Sequence, residues 1–303
     1  MQEADLGLVA RLVHARAGIV LGADKAYLIE SRLRSVAGRF GFADPARLLA
    51  ALRSTPSEPL QCAVTEALTT NETSFFRDGR PFEQLRHLVL PELVAARAGR
   101  RQLRIWSAAA STGQEAYSIA MCLDELSPML AGWQLSIVGT DIAEAAIARA
   151  RRGRYSAFEV QRGLSEERLS RHFTPLGNDW QIDDRLATMV DFRCLNLLEG
   201  TRQLGRFDII FLRNVLIYFD LDTRRRVLCE IRAGLADDGC LFLGGTETVL
   251  GVSDAFVACP TARGIVRPRT RLDPPSEPVR PVIGKAIIPG SNGMTRGVRP
   301  HVA

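Results

Sequence analysis

The sequence predicts an α/β protein: a small all-α N-terminal domain followed by a doubly wound domain that carries an inserted small β-subdomain. Three observations predict this fold class. Helical periodicity extends up to about residue 70. Beyond residue 80, short β-rich runs alternate with helical segments, which is typical of a parallel sheet covered on both faces. One connection in that second part is too long for a simple crossover.

Start signals mark two helices within the first 70 residues. Asp44 before Pro45 is typical of an N-cap followed by the first turn of a helix that runs to Arg53. Ser57 opens a further helix in the same way. Because no strand-like alternation here is long enough to count, we predict a small helical domain.

The segment 25–40 has both a core face and a basic edge. Its apolar stripe consists of Ile29, Leu33, Val36 and Phe40. Basic residues repeat every seven positions along the flank of this stripe, namely Lys25, Arg32 and Arg39. The basic edge fits an acidic partner surface and a merely solvated helix face equally well.

Five short apolar runs predict the strands of the second domain. They are residues 103–107, 135–139, 190–194, 207–212 and 240–244. Helical stretches between them include residues 114–126, 143–150 and 222–235. These connections are long enough for crossovers between parallel strands, so the predicted sheet is doubly wound.

The connection between residues 151 and 189 is longer than a crossover needs. It contains a helix-like stretch at residues 165–172 and a turn sequence at residues 177–179. This pattern predicts an inserted hairpin or small sheet. Insertions of this kind often recognise partners.

The positive charge of the chain lies at its C-terminus. The formal net charge is +5, from 39 basic and 34 acidic residues. Residues 261–303 hold 8 of the basic and 2 of the acidic residues, which leaves 31 against 32 in residues 1–260. A nearly neutral folded part argues against a nucleic-acid partner. Because 7 of the 15 prolines lie in residues 268–300, we predict a disordered proline- and arginine-rich tail at 268–303.

Cysteine and histidine usage indicates neither a metal site nor a disulfide framework. The six cysteines show no CxxC spacing, and the four histidines are scattered. The N-terminus lacks the pattern of a signal peptide, and no run approaches about 18 apolar residues. We therefore expect a reduced, cytoplasmic protein without membrane insertion.

Candidate ligand-binding residues follow the predicted strands, because ligands of open α/β sheets bind beyond the carboxyl ends of the strands. The loop at residues 107–113 consists mainly of small residues, and Asp141 follows the second strand. Asp141 suits ribose hydroxyls or, alternatively, caps the next helix. Since no phosphate-binding glycine loop is present, a ligand with a ribose but no pyrophosphate fits best. S-adenosylmethionine is the commonest such cofactor.

Two further strand ends carry candidate residues. The third strand leads into Asn196 and Leu197, which suit an adenine ring or, alternatively, a turn and the core. The fourth strand ends in Arg213 and Asn214. Tyr218 follows and is either a site residue or a half-buried core tyrosine.

Six segments together resemble a known family. In order along the chain they are TTNETSFFRD, RIWSAAASTGQEAYSIA, VGTDI, NLL, FLRNVLIYF and GCLFLGGTE. In this order and spacing they resemble the CheR-type chemotaxis receptor methyltransferases over roughly residues 1–267. The first segment is a linker denser in hydroxyl and amide groups than a mere connector needs.

The resemblance implies an activity and a domain organisation. The activity is transfer of a methyl group from S-adenosylmethionine to glutamate side chains in chemoreceptor cytoplasmic helices, giving methyl esters and S-adenosylhomocysteine. The implied domains are a helical domain at 1–70, a linker at 71–80 that contributes to the cofactor site, and a methyltransferase domain at 81–267. The inserted β-subdomain falls at about residues 155–190.

The resemblance also implies roles for ten residues. The positions that resemble the family's cofactor contacts are Asn71, Thr73, Arg77, Glu115, Asp141, Asn196, Leu197, Arg213 and Asn214. Arg77 and Tyr218 resemble the residues that act on the acceptor. Asp141 is expected at the ribose and Asn196 at the adenine. Glu115 is expected near the methionine ammonium or, alternatively, is only a first-turn carboxylate favoured by the helix dipole.

One departure from the family pattern concerns the receptor. The insertion has a short turn at residues 176–180 rather than the glycine-bounded loop of members that dock on a receptor's C-terminal pentapeptide. This departure argues against such a tether, so the expected partner is the receptor's cytoplasmic domain itself. The protein is expected to be a monomer. The alternative function is a signalling scaffold that binds the cofactor without transfer activity, against which Arg77, Asn214 and Tyr218 argue.

Overall fold

The helical N-terminal domain is built from four helices. The computed structural model describes residues 2–270 of the chain. The four helices are α1 (Glu3–Ala17), α2 (Ala26–Arg39), α3 (Pro45–Ser54) and α4 (Glu58–Leu68). Their apolar faces meet in one core, whose fully buried members are Val9, Val13, Leu33, Leu48 and Val64. Burial of each such side chain favours the folded state by about 1.5–3 kcal/mol, so the four helices hold together as a unit.

The start signals of α3 and α4 act differently. Asp44 caps α3 as predicted, since its side chain accepts a hydrogen bond from the Arg47 N–H at 2.8 Å. Ser57 occupies the N-cap position of α4 with extended backbone, but its side chain accepts no capping bond. The position of both helix starts follows the sequence signal, while the capping bond forms only at Asp44.

The basic flank of α2 is only partly a free edge. Lys25 and Arg39 are exposed. Arg32 instead donates from Nη1 to the carbonyl oxygens of Ala67 at 3.3 Å and Thr69 at 2.7 Å. Arg32 therefore ties α2 to the start of the linker between the two domains.

A seven-stranded sheet forms the frame of the second domain. The strands of the described residues are β1 (Gln102–Ala108), β2 (Gln134–Asp141), β3 (Arg154–Ser156), β4 (Phe173–Leu176), β5 (Asp179–Ile182), β6 (Val190–Cys194), β7 (Phe207–Leu212), β8 (Leu235–Leu243), β9 (Phe256–Ala258) and β10 (Ile265–Pro268). The large sheet has the order β6-β2-β1-β7-β8-β10-β9. It is parallel from β6 to β8, and β10 pairs antiparallel with β8 and β9. The predicted doubly wound sheet is confirmed.

Helices cover both faces of this sheet. The described helices of this domain are α5 (Arg80–Gln84), α6 (Leu90–Ala96), α7 (Gln114–Glu125), α8 (Glu144–Arg152), α9 (Ala157–Gln161), α10 (Glu166–His172), α11 (Asp184–Thr188) and α12 (Leu221–Gly234), with a π-helical turn between α5 and α6. Of these, α9 and α10 contact the short strands β3, β4 and β5 instead. Alternate residues of β7 enter two separate cores: Ile209 and Phe211 belong to one, Ile210 and Leu212 to the other. Within residues 2–270, no helix is long and apolar enough to cross a membrane.

The C-terminal edge of the sheet extends beyond the predicted boundary. The prediction that the tail starts at Pro268 is wrong, since this residue is buried at the end of β10 and pairs with Phe256 in β9. The N–H of Arg269 donates to the Ala255 carbonyl at 2.8 Å. Proline is tolerated here because the bond toward this edge is donated by the Arg269 N–H and not by residue 268. The rest of the predicted disordered tail, residues 271–303, lies outside the described residues.

The insertion between β2 and β6 is a small antiparallel sheet. Its order is β3-β5-β4, and β4 and β5 form a hairpin around Gly177, which has a φ of 63°. The helix predicted here is α10, whose N-cap Ser165 accepts from the Arg168 N–H at 3.3 Å. This is the predicted inserted β-subdomain.

Candidate active site

One cleft lies at the carboxyl ends of the parallel strands. Its walls are the loops after β1, β2, β6 and β7 and the linker before α5. Its empty volume is about 880 Å³, including space that is open to solvent. All ten residues singled out from the sequence line it, namely Asn71, Thr73, Arg77, Glu115, Asp141, Asn196, Leu197, Arg213, Asn214 and Tyr218. The structure therefore brings every candidate residue to one place.

Strained backbone surrounds this cleft. Five non-glycine residues of the linker and the strand-end loops have positive φ, namely Phe76 at 48°, Asp78 at 68°, Ala109 at 59°, Ser111 at 52° and Asn214 at 58°. Among the described non-glycine residues, only Arg101 shares this conformation elsewhere. Because such residues cost on the order of 1–3 kcal/mol each and cluster at functional sites, they support a functional role for the cleft.

Asp141 joins the loops that follow β1 and β2. Its Oδ2 accepts from the Ser111 N–H at 2.8 Å, and its Oδ1 accepts from the Ala143 N–H at 2.9 Å. Burial raises the pKa of this carboxyl group above its ordinary value. Helix α8 begins at Glu144 with Ala143 at its N-cap, so the alternative that Asp141 is the N-cap is wrong. The carboxyl group instead braces the loop after β1 and lines the cleft.

Glu115 and Arg213 form a buried ion pair beside the linker. Arg213 Nη1 donates to Glu115 Oε2 at 2.9 Å, and the Ser107 hydroxyl donates to Glu115 Oε1 at 2.8 Å. Arg213 Nη2 donates to Asp78 Oδ2 at 2.7 Å and to the Arg77 carbonyl at 2.9 Å. The Arg213 side chain is 1% exposed and that of Glu115 is 11% exposed. The pair therefore links the ends of β1 and β7 to the linker, and it leaves the buried Arg213 Nε without a hydrogen-bond partner among the described residues.

The aromatic pair of the linker anchors it in the core. Phe75 is fully buried, and its ring centroid lies 5.0 Å from that of Tyr155 in an edge-on contact. Phe76 is also buried. The polar residues around them remain at the cleft, where Arg77 Nη1 donates to the Glu72 carbonyl at 2.8 Å.

The side chain of Asn196 is hydrogen-bonded to other parts of the chain. Its Nδ2 donates to the Arg16 carbonyl at 2.6 Å and to Glu199 Oε1 at 3.2 Å. Its Oδ1 accepts from the Leu198 N–H at 3.1 Å. Asn196 therefore connects the end of α1 to the loop after β6, while the neighbouring Leu197 is a buried side chain of the cleft wall.

The helical domain contributes a wall that the sequence did not predict. Ile19 forms an isolated antiparallel bridge with Phe219, and the Val20 N–H donates to the Tyr218 carbonyl at 2.9 Å. This places Ala17 and Ile19 in the cleft wall. The local sequence marks the end of α1 by a glycine, but no signal in it indicates this contact with the second domain.

Two family models match consecutive parts of the chain. The model described as "CheR methyltransferase, all-alpha domain" matches residues 4–69, and the model described as "CheR methyltransferase, SAM binding domain" matches residues 71–265. The chain belongs to the CheR methyltransferase family. The resemblance drawn from the sequence is confirmed.

Similar proteins support this membership of the CheR methyltransferase family. The chain is 41% identical over 270 residues to "Chemotaxis protein methyltransferase 1" of Pseudomonas aeruginosa, covering 87% of this chain and 97% of the relative. It is 40% identical over 255 residues to "Chemotaxis protein methyltransferase Cher2" of Pseudomonas putida, covering 82% and 92%. It is 39% identical over 259 residues to "Chemotaxis protein methyltransferase 1" of Vibrio cholerae, covering 84% and 93%. The chain is a methyltransferase that depends on S-adenosylmethionine and functions in chemotaxis.

The cleft of this CheR methyltransferase fits S-adenosylmethionine. Glu115 and Asp141 supply acidic groups for an ammonium group and for ribose hydroxyls, and the buried Arg213 Nε is a donor that no described residue satisfies. No group of three or more metal-ligating side chains suited to a metal ion occurs within residues 2–270.

Proposed function

We propose that this enzyme methylates glutamate side-chain carboxylates in the cytoplasmic domain of chemoreceptors, and that it does so in the cytoplasm. The observation that carries the proposal is that Arg77 and Tyr218 line one cleft with Glu115 and Asp141. The names of the relatives, which are chemotaxis methyltransferases, support the same class of acceptor.

The acceptor requires no general base. A glutamate carboxyl group with an ordinary pKa near 4.3 is ionised at pH 7. S-adenosylmethionine supplies an activated methyl group when bound. A carboxylate oxygen bonds to the methyl carbon while the carbon–sulfur bond breaks, its electron pair stays on sulfur, and no proton moves. The protein therefore contributes alignment and exclusion of water, and alignment can account for about 7–11 kcal/mol of the barrier.

Arg77 and Tyr218 are the residues we assign to the acceptor. Among the described residues, the Arg77 guanidinium makes one side-chain hydrogen bond, from Nη1 to Glu72. Its remaining N–H donors can bind a carboxylate through bidentate hydrogen bonds, which lysine cannot form. The turn that carries Tyr218 is braced by the Val20 N–H, which donates to the Tyr218 carbonyl, and we assign the Tyr218 hydroxyl to the acceptor as a single donor.

The remaining cleft residues are assigned to the cofactor. We assign Asp141 to the ribose hydroxyls and Glu115 to the methionine ammonium. Since the Asn196 side chain is engaged with Arg16, contact with the adenine falls to the backbone at this position and to the Leu197 side chain. The other proposed cofactor contacts are Asn71, Thr73, Arg77, Arg213 and Asn214.

Receptor binding in this proposal uses no C-terminal peptide tether. The hairpin of the inserted sheet closes through a tight turn at Gly177, without a longer loop between β4 and β5. We propose that the enzyme acts as a monomer on the receptor's helices.

Mass spectrometry of receptor fragments tests the proposal. Purified enzyme is incubated with isotope-labelled S-adenosylmethionine and candidate receptor cytoplasmic domains, and peptides that gain a methyl group are sequenced. The expected result is a base-labile methyl ester on specific glutamates, lost when those glutamates are replaced by alanine. Methyl label that resists base, or that lies on another residue type, would contradict the proposal.

A further inference from the structure

Glu247 lies in the loop after β8, and its carboxylate is surrounded by backbone N–H groups. Its Oε2 accepts from Gly244 at 2.7 Å and from Asn214 at 2.8 Å. Its Oε1 accepts from Val215 at 2.9 Å and from Leu216 at 2.7 Å. Each oxygen therefore has two donors, and all four are uncharged main-chain groups.

Three of these donors form an anion-binding concavity. They are the successive N–H groups of residues 214–216, brought together by the left-handed backbone of Asn214, whose φ is 58°. Successive amides in such a turn bind anions in many proteins. Here the anion is a side chain of the protein itself. Hydrogen bonds to an ionised carboxylate are about twice as strong as neutral ones, so the turn is firmly held.

Gly244 is required for this close approach. A Cβ atom at this position would lie 2.6 Å from Glu247 Oε2 and 2.9 Å from the Asn214 nitrogen. Any other residue at position 244 would force the carboxylate or the turn to move. The contact therefore depends on both Gly244 and Glu247, and of these two residues only Glu247 is charged.

The turn that Glu247 holds carries residues of the cleft. Asn214, Val215 and Tyr218 line the cleft, whereas Glu247 does not. The short 3-10 helix Leu216–Tyr218 starts at one of the held N–H groups. Glu247 thus affects the cleft indirectly, by holding the backbone of the turn whose residues line it.

We propose that Glu247 is a positioning residue for methyl transfer, which sets the orientation of Tyr218 toward the acceptor. The inference rests on the proposed function, because that function assigns Tyr218 to the acceptor. Without the carboxylate, four donors lose their common acceptor and the turn rearranges. A misplacement of about 1 Å at a reacting group costs on the order of 100-fold in rate.

The Glu247→Gln variant tests this role. Glutamine keeps the size of the side chain but replaces one acceptor oxygen by an NH₂ group that faces two N–H donors. The matched control is Glu230→Gln, since Glu230 also accepts a backbone bond, from Thr201 at 3.3 Å, and does not line the cleft. The measurement is kcat for receptor methylation. The concentration of active enzyme is taken as the concentration of S-adenosylhomocysteine-binding sites, which calorimetric titration gives. The expected result is a fall of about 100-fold for Glu247→Gln and no change for Glu230→Gln.

A mutant cycle with Tyr218→Phe separates positioning from general loss of structure. If Glu247 acts through Tyr218, Glu247→Gln lowers the rate of the Tyr218→Phe enzyme by less than about 3-fold, because effects within one unit do not add. Two effects that multiply in the double variant, or a wild-type kcat in Glu247→Gln, overturn the inference. Should Glu247→Gln fail to fold, Gly244→Ala perturbs the same contact with the charge retained. It is expected to lower kcat in the same way, and a wild-type kcat there overturns the inference as well.

Hydrogen exchange gives a readout that does not depend on activity. The amides of residues 214–216 are expected to be protected in the wild type and to exchange at least about 10-fold faster in Glu247→Gln. If the wild-type enzyme methylates no receptor fragment, the proposed function fails, but the exchange measurement still stands. Unchanged exchange of these three amides in Glu247→Gln overturns the inference.

Discussion

The Arg213→Met variant is expected to lose stability because it leaves the Glu115 carboxylate buried without its cation. Arg213 is 1% exposed, and Glu115 is 11% exposed. Once the arginine is gone, the Ser107 hydroxyl is the one hydrogen-bond partner left to Glu115 within residues 2–270. Methionine fills much of the same volume, so the change removes the charge and the hydrogen bonds more than it removes packing.

The size of the effect follows from the burial of the two ion pairs that Arg213 makes. Breaking a buried pair by removing one partner costs about 3–5 kcal/mol. The second pair adds at most about 1 kcal/mol, because the Asp78 side chain is 51% exposed. For a domain of this size, each kcal/mol lowers Tm by about 2–4 °C, so we expect a fall of roughly 6–24 °C.

Urea unfolding followed by circular dichroism measures this loss directly. The matched control is Arg193→Met, whose pair with Asp191 is half exposed on both sides and whose loss should change stability by less than about 0.5 kcal/mol. Adding Glu115→Gln to Arg213→Met removes the unpaired charge and should recover part of the stability. The reasoning is refuted if Arg213→Met costs less than about 1 kcal/mol, or if Glu115→Gln destabilises that variant further.

Three further predictions concern the linker, a close backbone contact and a helix cap. Arg77→Ala should lower receptor methylation by about 100-fold, and Arg77→Lys should restore little of it, whereas unchanged turnover would remove Arg77 from the mechanism. Gly163→Ala should cost more than about 1 kcal/mol in urea unfolding, because its φ is 106° and a Cβ there would lie 1.9 Å from a linker carbonyl oxygen; Gly177→Ala, also at positive φ but in open space, should cost less. Hydrogen bonds from Thr223, and then the contact with His14, lower the pKa of Asp220 to about 2. The negative charge of Asp220 therefore stabilises the fold above about pH 4, and this stabilisation is lost as the pH falls toward 2. The difference in Tm between wild type and Asp220→Asn should therefore shrink over that range, and a constant difference would contradict the assignment.

Strand ends were the part of the site that sequence could predict. Asp141 and Arg213 follow apolar runs, and the carboxyl ends of parallel strands meet at one edge whatever the rest of the fold does. The two-core packing of β7 follows equally from the apolar run at residues 209–212. These features depend on local pattern and on the general geometry of parallel sheets.

Contacts between distant segments could not be predicted. The end of α1 reaches the cleft because Ile19 pairs with Phe219, two hundred positions away. The Asn196 side-chain amide donates to the Arg16 carbonyl, and this bond likewise joins segments that are far apart in the sequence. The antiparallel strands β9 and β10 are three and four residues long, too short for a periodic signal. Each of these depends on tertiary placement rather than on local pattern.

The bridge between Ile19 and Phe219 bears on how such enzymes can be recombined. One family model ends at residue 69 and the other starts at residue 71, which suggests that the two domains could be exchanged separately between relatives. Yet one strand-like contact and one wall of the cleft are shared across that boundary. A chimera that joins the helical half of one relative to the catalytic half of another must therefore inherit both sides of this bridge from the same parent to keep an intact cleft.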